Sequence, residues 1–479
     1  MYNRLYSWLL LISSVVFVVY SVQAIYTDNI SPEWMRYQEK YKKLVIKRAS
    51  DEKTRELAKE FKIDIQQVYL ADLNKVDRCM SCHIGIDNEM VSDVDQPIRS
   101  HSGDYLKNHP PDRFGCTICH HGQGRAIDIR NAHGIGHETH WDQPILPTEY
   151  MQSACPSCHN MGWLSKNGGE KIAKGEAIFK KRGCLGCHKM QGRGGILGKK
   201  LDGVGSQPIA YFPMAHVRGE RTVYAWMKQH FDDPRNIVPQ SEMIADLTDE
   251  ESILLTTYVL SLRSEEIPRD YRHHDESGYA PEEPGDPGES MYNLYCVGCH
   301  GTGKDSVYDE VFKRTIPAIQ NPPFLAAVSD KYLHTVISEG RSGTPMTSWK
   351  EAAAGLKPEE IDAIIRYITR DRPAAGPKPF EFAKYQGNAK RGEEIFNIRC
   401  VDCHGKGGEG GVGLNLRNPV VQKYADPEFL AITLRDGRVG THMVSFGSQG
   451  MGLNDQDIVD VITYVKTLSG KQIPYPLAP

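Results

Sequence analysis

Along this chain, apolar positions gather in one unbroken run and in six short stretches of helical period. The unbroken run comes first: from Leu5 to Tyr26 the chain reads LYSWLLLISSVVFVVYSVQAIY, with no formal charge. At helical rise it is long enough to cross a bilayer core of about 30 Å. Arg4 precedes it and Asp28 follows, so the positive-inside rule places the N-terminus in the cytoplasm and everything after Tyr26 outside. Val22-Gln23-Ala24 is also an acceptable leader cleavage site, but the run is longer than a leader's usual apolar region, and a retained anchor over 1–26 is the favoured reading. Ser31-Pro32-Glu33 then has the marks of a helix start, with a capping hydroxyl, a proline in the first turn and an acid at the positive end of the dipole. It opens a charged helical stalk over 27–74, interrupted around Ile63-Asp64, that reads as a solvated face.

The six shorter stretches pair up. Helices beginning GEAIF at Gly175, GESMY at Gly288 and GEEIF at Gly392 are matched by later ones, LTDEESILLTTYVLSL from Leu247, LKPEEIDAIIRYITR from Leu356 and LNDQDIVDVITYVKTL from Leu453. Each later helix opens with Thr, Lys-Pro or Asn followed by acids and sets apolar residues at helical period around Tyr258, Tyr367 or Tyr464. Recurrence in one order of parts marks an internal repeat. Pro- and acid-rich stretches, SEEIPRDYRHHDESGYAPEEPGDPGES at 264–290 and DRPAAGPKPFEF at 371–382, read as linkers between repeats. The fold class expected is mainly α.

Composition changes the picture in one respect. A chain of 479 residues has room for about three or four domains, yet only 40% of it is hydrophobic and 44 residues are glycine. Something besides side chains must fill the cores. The net charge of −4 gives no reason to expect nucleic acid as a partner.

The cysteines name the filler. All 12 fall in six copies of Cys-x-x-Cys-His: Cys79/Cys82/His83, Cys116/Cys119/His120, Cys155/Cys158/His159, Cys184/Cys187/His188, Cys296/Cys299/His300 and Cys400/Cys403/His404. Attachment of haem c needs two thiols for the two vinyl groups and a following imidazole to turn under the ring and ligate iron. A disulfide framework gives no reason for a histidine after every second cysteine. Zinc sites draw four ligands from paired motifs, whereas here each motif carries its own histidine. Six covalently bound haem c groups are expected, on the exported side of the membrane.

The first three motifs lie too close together for three full domains. Around them stand His101, His109, His121, His133, His137 and His140, a density that argues for imidazole on both faces of each iron. His121 directly follows a proximal histidine and is poorly placed for the same iron.

Residues 172–265, 287–373 and 388–471, with a Gly-Glu helix, a haem motif, a late methionine and a closing helix, resemble class I cytochrome c domains. The resemblance implies Met243, Met346 and Met443 as distal ligands, from the loops Gln240-Ser241-Glu242-Met243, Gly343-Thr344-Pro345-Met346 and Gly440-Thr441-His442-Met443. Met214 and Met227 remain rivals to Met243, and Met451 to Met443. The strings HSGDYLKNHPPDRFGCTICHHGQGRA and AHGIGHETHWDQP resemble membrane-anchored triheme cytochromes of quinol-oxidising respiratory complexes, which points to His109, His133 and His140, with His101 close behind. The organisation expected is an anchor over 1–26, a stalk over 27–74, a triheme region over 75–165, class I domains over 166–265, 287–373 and 388–479, and linkers over 266–286 and 374–387. The functional expectation is an anchored hexahaem electron carrier on the periplasmic face of the cytoplasmic membrane. It would be a subunit of a quinol:cytochrome c oxidoreductase with cytochrome b and iron–sulfur partners, passing electrons to a soluble or terminal acceptor rather than catalysing alone. A peroxidase, a nitrogen-oxide reductase and a freestanding quinol dehydrogenase are the competing readings.

Overall fold

The structure, a computed structural model, describes residues 2–134, 141–272, 285–310 and 312–469. It is mainly helical, and its described strands pair only as three two-stranded antiparallel hairpins. The chain divides into two compact units: Met1–Ile172 with Gly205–Val238 and Arg263–Gly278, and Ala173–Val204 with Pro239–Leu262 and Tyr279–Pro479. This division cuts through the segment 166–265, whose middle stretch belongs to the first unit.

In the first unit the apolar run forms the helix Tyr2–Ile25, continued by a wider turn over Tyr26–Ile30. It is long and apolar enough to cross a membrane, and its large side chains, such as Leu10 and Phe17, face outward. The expected stalk is a packed part of the unit. Its helices are Glu33–Arg48 and Glu52–Glu60, broken at Ala49–Asp51, where the Asp51 carboxylate accepts from the Thr54 N–H at 2.8 Å. Val45 and Ala58 bury against Val91 and Ile98. Buried Gln38 donates to the carbonyls of Asp64 and Ser81 at 2.7 and 2.9 Å, and no solvated face could hold such a residue. A hairpin, Val68–Leu70 with Lys75–Asp77 and Tyr69 opposite Val76, runs across the expected boundary at 74 into the first haem motif.

The second unit contains three crossed helix pairs: Glu170–Lys181 with Asp249–Leu260, Pro287–Tyr295 with Pro358–Thr369, and Ala389–Arg399 with Asp455–Thr467. The Gly-Glu dipeptides sit inside the first helix of each pair rather than at its start, because the glycine makes the crossing. A Cβ on Gly175, Gly288 or Gly392 would meet the carbonyl oxygen of Leu254, Ala363 or Asp460 at 2.2, 2.2 or 2.0 Å. One turn further on, an aromatic pair closes each crossing: Phe179–Tyr258, Tyr292–Tyr367 and Phe396–Tyr464, with ring centres 5.1, 5.3 and 5.3 Å apart. The expected linker at 374–387 is partly core. Phe380 is buried with Leu453, Ile458 and Ile462, Phe382 and Tyr385 pack against them, and the Phe380 N–H donates to the Glu428 carboxylate. Of the other expected linker, 273–284 lie outside the described residues, while Tyr271 packs edge-on against Phe114.

Gly392→Ala should destabilise the last helix pair by about 1–3 kcal/mol or more, since backbone must move to admit the methyl. Gly376→Ala, with nothing near its Cβ, should be close to neutral. Chemical denaturation of the two variants checks this.

Candidate haem-binding sites

Each Cys-x-x-Cys-His folds into one tight turn. The histidine N–H donates to the carbonyl of the first cysteine in all six motifs, at 2.9 Å from His83, 2.9 Å from His120, 3.1 Å from His159, 3.0 Å from His188, 2.9 Å from His300 and 2.9 Å from His404. Residues three and four apart on such a turn share a face, so two thiols and an imidazole present together. No cysteine is in a disulfide. Burial pushes the Cys82, Cys155 and Cys400 thiols up to about 11 and those of Cys119, Cys184 and Cys296 up to about 12. Such thiols are protonated and partly apolar, which suits thioether formation and not a zinc thiolate site.

Cys158 and Cys403 depart from the expectation that each motif sits inside a filled core. Cys158 is only half-buried, and Cys403 is exposed. Their backbones nevertheless keep the turn, the N–H of Cys158 donating to the Cys155 carbonyl at 3.1 Å and that of Cys403 to the Cys400 carbonyl at 3.3 Å. The reason for the difference at Cys403 is its place in the chain: Cys400 packs with Phe396 and Tyr464, whereas Cys403 lies one turn beyond that cluster. Its carbonyl accepts from the Gly413 N–H at 2.8 Å, which ties the turn to the following loop in place of side-chain packing.

The first unit brings histidines together across long sequence gaps. His83 faces His133 with ring centres 6.2 Å apart, His120 faces His101 at 6.1 Å, and His159 faces His109 at 6.0 Å. An iron bonded to two imidazole nitrogens at about 2.0 Å each, with each nitrogen about 1.1 Å from its ring centre, needs centres about 6.2 Å apart. The donor set and spacing therefore fit a bis-imidazole haem at all three places. Nδ1 of His101 and of His109 lies 2.8 and 3.0 Å from the carbonyls of Ser102 and Tyr105, so Nδ1 carries the proton and Nε2 keeps its lone pair. His140, expected as a distal residue, lies outside the described residues with His137. His121 is taken up by Arg263, whose Nη1 is 3.0 Å from its Nε2, and burial followed by that cation lowers its pKa to about 3.

In the second unit the motif histidines have the same tautomer. Nδ1 of His188, His300 and His404 faces the carbonyls of Lys199, Pro317 and Leu414 at 2.8, 3.4 and 2.8 Å. Gly198 and Gly413 lie flat against the rings of His188 and His404, where a Cβ would come within 2.5 and 2.8 Å of ring atoms. The three methionine loops share one local turn: the N–H of Met243, Met346 and Met443 donates to the hydroxyl two residues back, on Ser241, Thr344 and Thr441, at 3.2, 3.2 and 3.1 Å. The Gln-Ser-Glu context of Met243 thus forms the same turn as the Gly-Thr-Pro pattern. Of the rivals, Met227 is buried inside the helix Val223–Asp232 and Met451 is half exposed.

Asp77 went unnoticed in the sequence. Its buried carboxylate accepts from the N–H groups of Cys79, Cys116 and Thr117 at 3.1, 2.7 and 2.9 Å, which clamps two haem motifs together. A carboxylate O of Asp77 and the sulfurs of Cys79 and Cys116 lie within 4.8 Å of one another. Cys187 likewise touches Cys299 in the second unit. An Asp followed at once by Arg-Cys is an ordinary string, and only the fold shows that it reaches a second motif 39 residues on.

Residues 172–263 match the family described as cytochrome c, and residues 283–368 and 387–465 match cytochrome C oxidase, cbb3-type, subunit III. These segments are cytochrome c domains, and the chain is a multihaem c-type cytochrome that carries covalently bound haem c and transfers electrons. More particularly, it is similar to the cbb3-type cytochrome c oxidase subunit FixP of Bradyrhizobium diazoefficiens, 26% identical over 38% of this chain and 60% of the relative, and to subunit CcoP of Rhodobacter capsulatus, 24% identical over 39% and 62%. The matches therefore span about three fifths of each relative's length. Among solved structures, a chain of the Kuenenia stuttgartiensis reducing HAO-like protein complex aligns over 40% of this chain and 99% of its own, at 19% identity and a TM-score of 0.27, too low for fold or function to be carried over. The histidine-paired region lies outside both family matches.

Removal of the Asp77 carboxylate leaves three buried N–H groups unpaired, so Asp77→Ala should cost about 3 kcal/mol or more. Desolvation pushes the Asp77 pKa up, but the hydrogen bonds outweigh it and hold the group below its ordinary value. A depressed folded pKa gives stability that is complete above the unfolded value of about 3.9 and is lost as pH falls through the folded one. The gap between parent and variant in denaturant midpoint should therefore be constant near neutrality and close below about pH 4.

Proposed function

We propose that the chain is a membrane-anchored hexahaem c-type cytochrome that relays electrons outward from a quinol-oxidising membrane partner. Cys79/Cys82, Cys116/Cys119, Cys155/Cys158, Cys184/Cys187, Cys296/Cys299 and Cys400/Cys403 hold the six haems. The axial pairs are His83/His133, His120/His101, His159/His109, His188/Met243, His300/Met346 and His404/Met443. Haem supplies one-electron chemistry, and the chain's contribution is to set its potential. Two imidazoles give a comparatively low potential and a thioether sulfur a higher one, so the region nearest the anchor receives electrons and the C-terminal domains release them. The observation that carries this reading is the set of three imidazole pairs at 6.0–6.2 Å. It leaves no open iron position in that region for a peroxidase or a nitrogen-oxide reductase. The anchor helix and the export that haem attachment requires set these domains on the periplasmic face.

The natural setting is a quinol:cytochrome c oxidoreductase with cytochrome b and iron–sulfur subunits. A second reading, delivery to a terminal oxidase, is favoured by the cbb3-type subunit III match of the last two domains. Gentle extraction from membranes followed by identification of the bound subunits separates the two. A cytochrome b with an iron–sulfur protein supports the first, a haem–copper catalytic subunit the second, and copurification with neither contradicts both.

Spectroscopy checks the ligand pairs. The planes of His120/His101 and His159/His109 cross at 77° and 79°, those of His83/His133 at 35°. Near-perpendicular imidazoles leave two iron d orbitals almost degenerate, so two low-spin haems should give strongly anisotropic paramagnetic resonance signals and the third an ordinary rhombic one. His101→Ala should turn one haem high-spin, and the lost signal should be one of the anisotropic pair.

A further inference from the structure

The helices Asp330–Glu339 and Pro427–Asp436 each stop at a left-handed glycine, Gly340 with φ 70° and Gly437 with φ 68°. Each is followed by an arginine that opens the methionine loop, its N–H donating to the methionine carbonyl: Arg341 to Met346 and Arg438 to Met443, both at 2.7 Å. The two loops exchange contacts. Asn321 Nδ2 donates to the Val439 carbonyl at 2.8 Å, and Asn418 Nδ2 to the Ser342 carbonyl at 2.7 Å, each asparagine preceding a Pro-initiated helix. This reciprocal arrangement packs two domains about a local two-fold relation and brings the two arginines together at its centre.

Neither guanidinium has an anion to meet. Among the described residues Arg341 and Arg438 form no ion pair, and the Nε of each is shielded from solvent without a hydrogen-bond partner. The Arg438 guanidinium lies over Phe324 and Phe429, 4.9 and 5.2 Å from the ring centres, and its one polar contact is Nη2 to the Thr433 hydroxyl at 3.3 Å. Burial, opposed by Tyr332 and aided by the Arg341 charge, pushes its pKa down to about 10, so it remains a cation near neutral pH. Two like charges withdrawn from water with no counter-ion cost several kcal/mol and are retained only where an anion answers them.

We propose that Arg341 and Arg438 form a paired guanidinium site that receives the propionate carboxylates of the haems attached at Cys296/Cys299 and Cys400/Cys403, across the contact between the two domains. The inference rests on those domains carrying haem c. Guanidinium forks match carboxylates in shape and charge, and each haem brings two carboxylates that must be neutralised or hydrated. The site would make the two C-terminal potentials depend on one shared cluster of charge.

The test is a redox titration of the full-length haem-loaded protein with Arg341→Gln, Arg438→Gln, both together, and Arg438→Lys, with the haem content of each cysteine peptide read by mass. A cation near the iron favours the less positive ferrous state. Each glutamine variant should therefore lower the midpoint of at least one C-terminal haem, by about 59 mV for each tenfold fall in the reduction equilibrium, and the double variant should lower it further. Arg438→Lys keeps the charge and should stay near the parent. If Arg438→Gln does not assemble, Arg341→Gln and Arg438→Lys make the same comparison. Unchanged midpoints in the glutamine variants with haem in place overturn the proposal. So does an equal fall in Arg438→Lys, which marks a packing role, or a parent midpoint that follows added chloride or phosphate, which marks an exchangeable ion. Absence of haem from Cys296/Cys299 or Cys400/Cys403 in the parent strikes instead at the cofactor reading.

Discussion

Facing imidazoles held about one iron's coordination span apart are the constraint on which the first unit depends. The partners come from separate places: His133 reaches back past two motifs to His83, His101 lies upstream of His120, and His109 lies 50 positions before His159. Each pair closes a long loop, and loop closure is what a chain with a lean hydrophobic composition can least readily sustain by side-chain packing alone. Asp77 adds a polar clamp at the junction of two motifs, and the helices Glu33–Arg48 and Glu52–Glu60 cover one side with a small apolar cluster. The folding of this unit is thereby tied to cofactor insertion.

The second unit solves the same problem by repetition. Glycine at each helix crossing lets backbone touch backbone, a neighbouring aromatic pair fills the space beside it, and a Ser or Thr hydroxyl two residues before the methionine shapes each distal loop. Removal of an aromatic as buried as Phe396 would cost about 3–5 kcal/mol. Contacts between successive haem motifs follow the same economy: a Cβ on Gly183 would meet the Gly298 N at 2.6 Å, and Arg193 pairs with Glu360 at 2.7 Å. Short distances between attachment sulfurs, at Cys79/Cys116 and Cys187/Cys299, suit a carrier whose task is transfer between neighbours.

Much of this was legible in the residues because the chemistry is local. Cys-x-x-Cys-His occupies one turn, so its meaning needs no tertiary information, and the repeated helices announce themselves by period. How far each thiol is enclosed is another matter: the exposure of Cys403 beside buried Cys400 depends on where the helix crossing ends. Three of the four histidines singled out, His101, His109 and His133, do face motif histidines, but the resemblance ranked His101 last, and nothing in the string assigned partners, because pairing depends on how loops of 20 to 50 residues fold back. The stalk was misread since its buried face is narrow: Trp34, Gln38 and Val45 are too few among charges to show as a stripe. Phe380, Phe382 and Tyr385 hid in a proline-rich stretch that looked like a linker. Asp77 and the Arg341/Arg438 pair are single polar residues whose roles exist only through contacts distant in sequence.

The most direct test of the account is an experimental map of the purified full-length protein with iron located by anomalous scattering. The account predicts six iron positions, three of them midway between His83 and His133, His101 and His120, and His109 and His159. An iron in that region with only one protein ligand, or bridged by a different histidine pair, would contradict it.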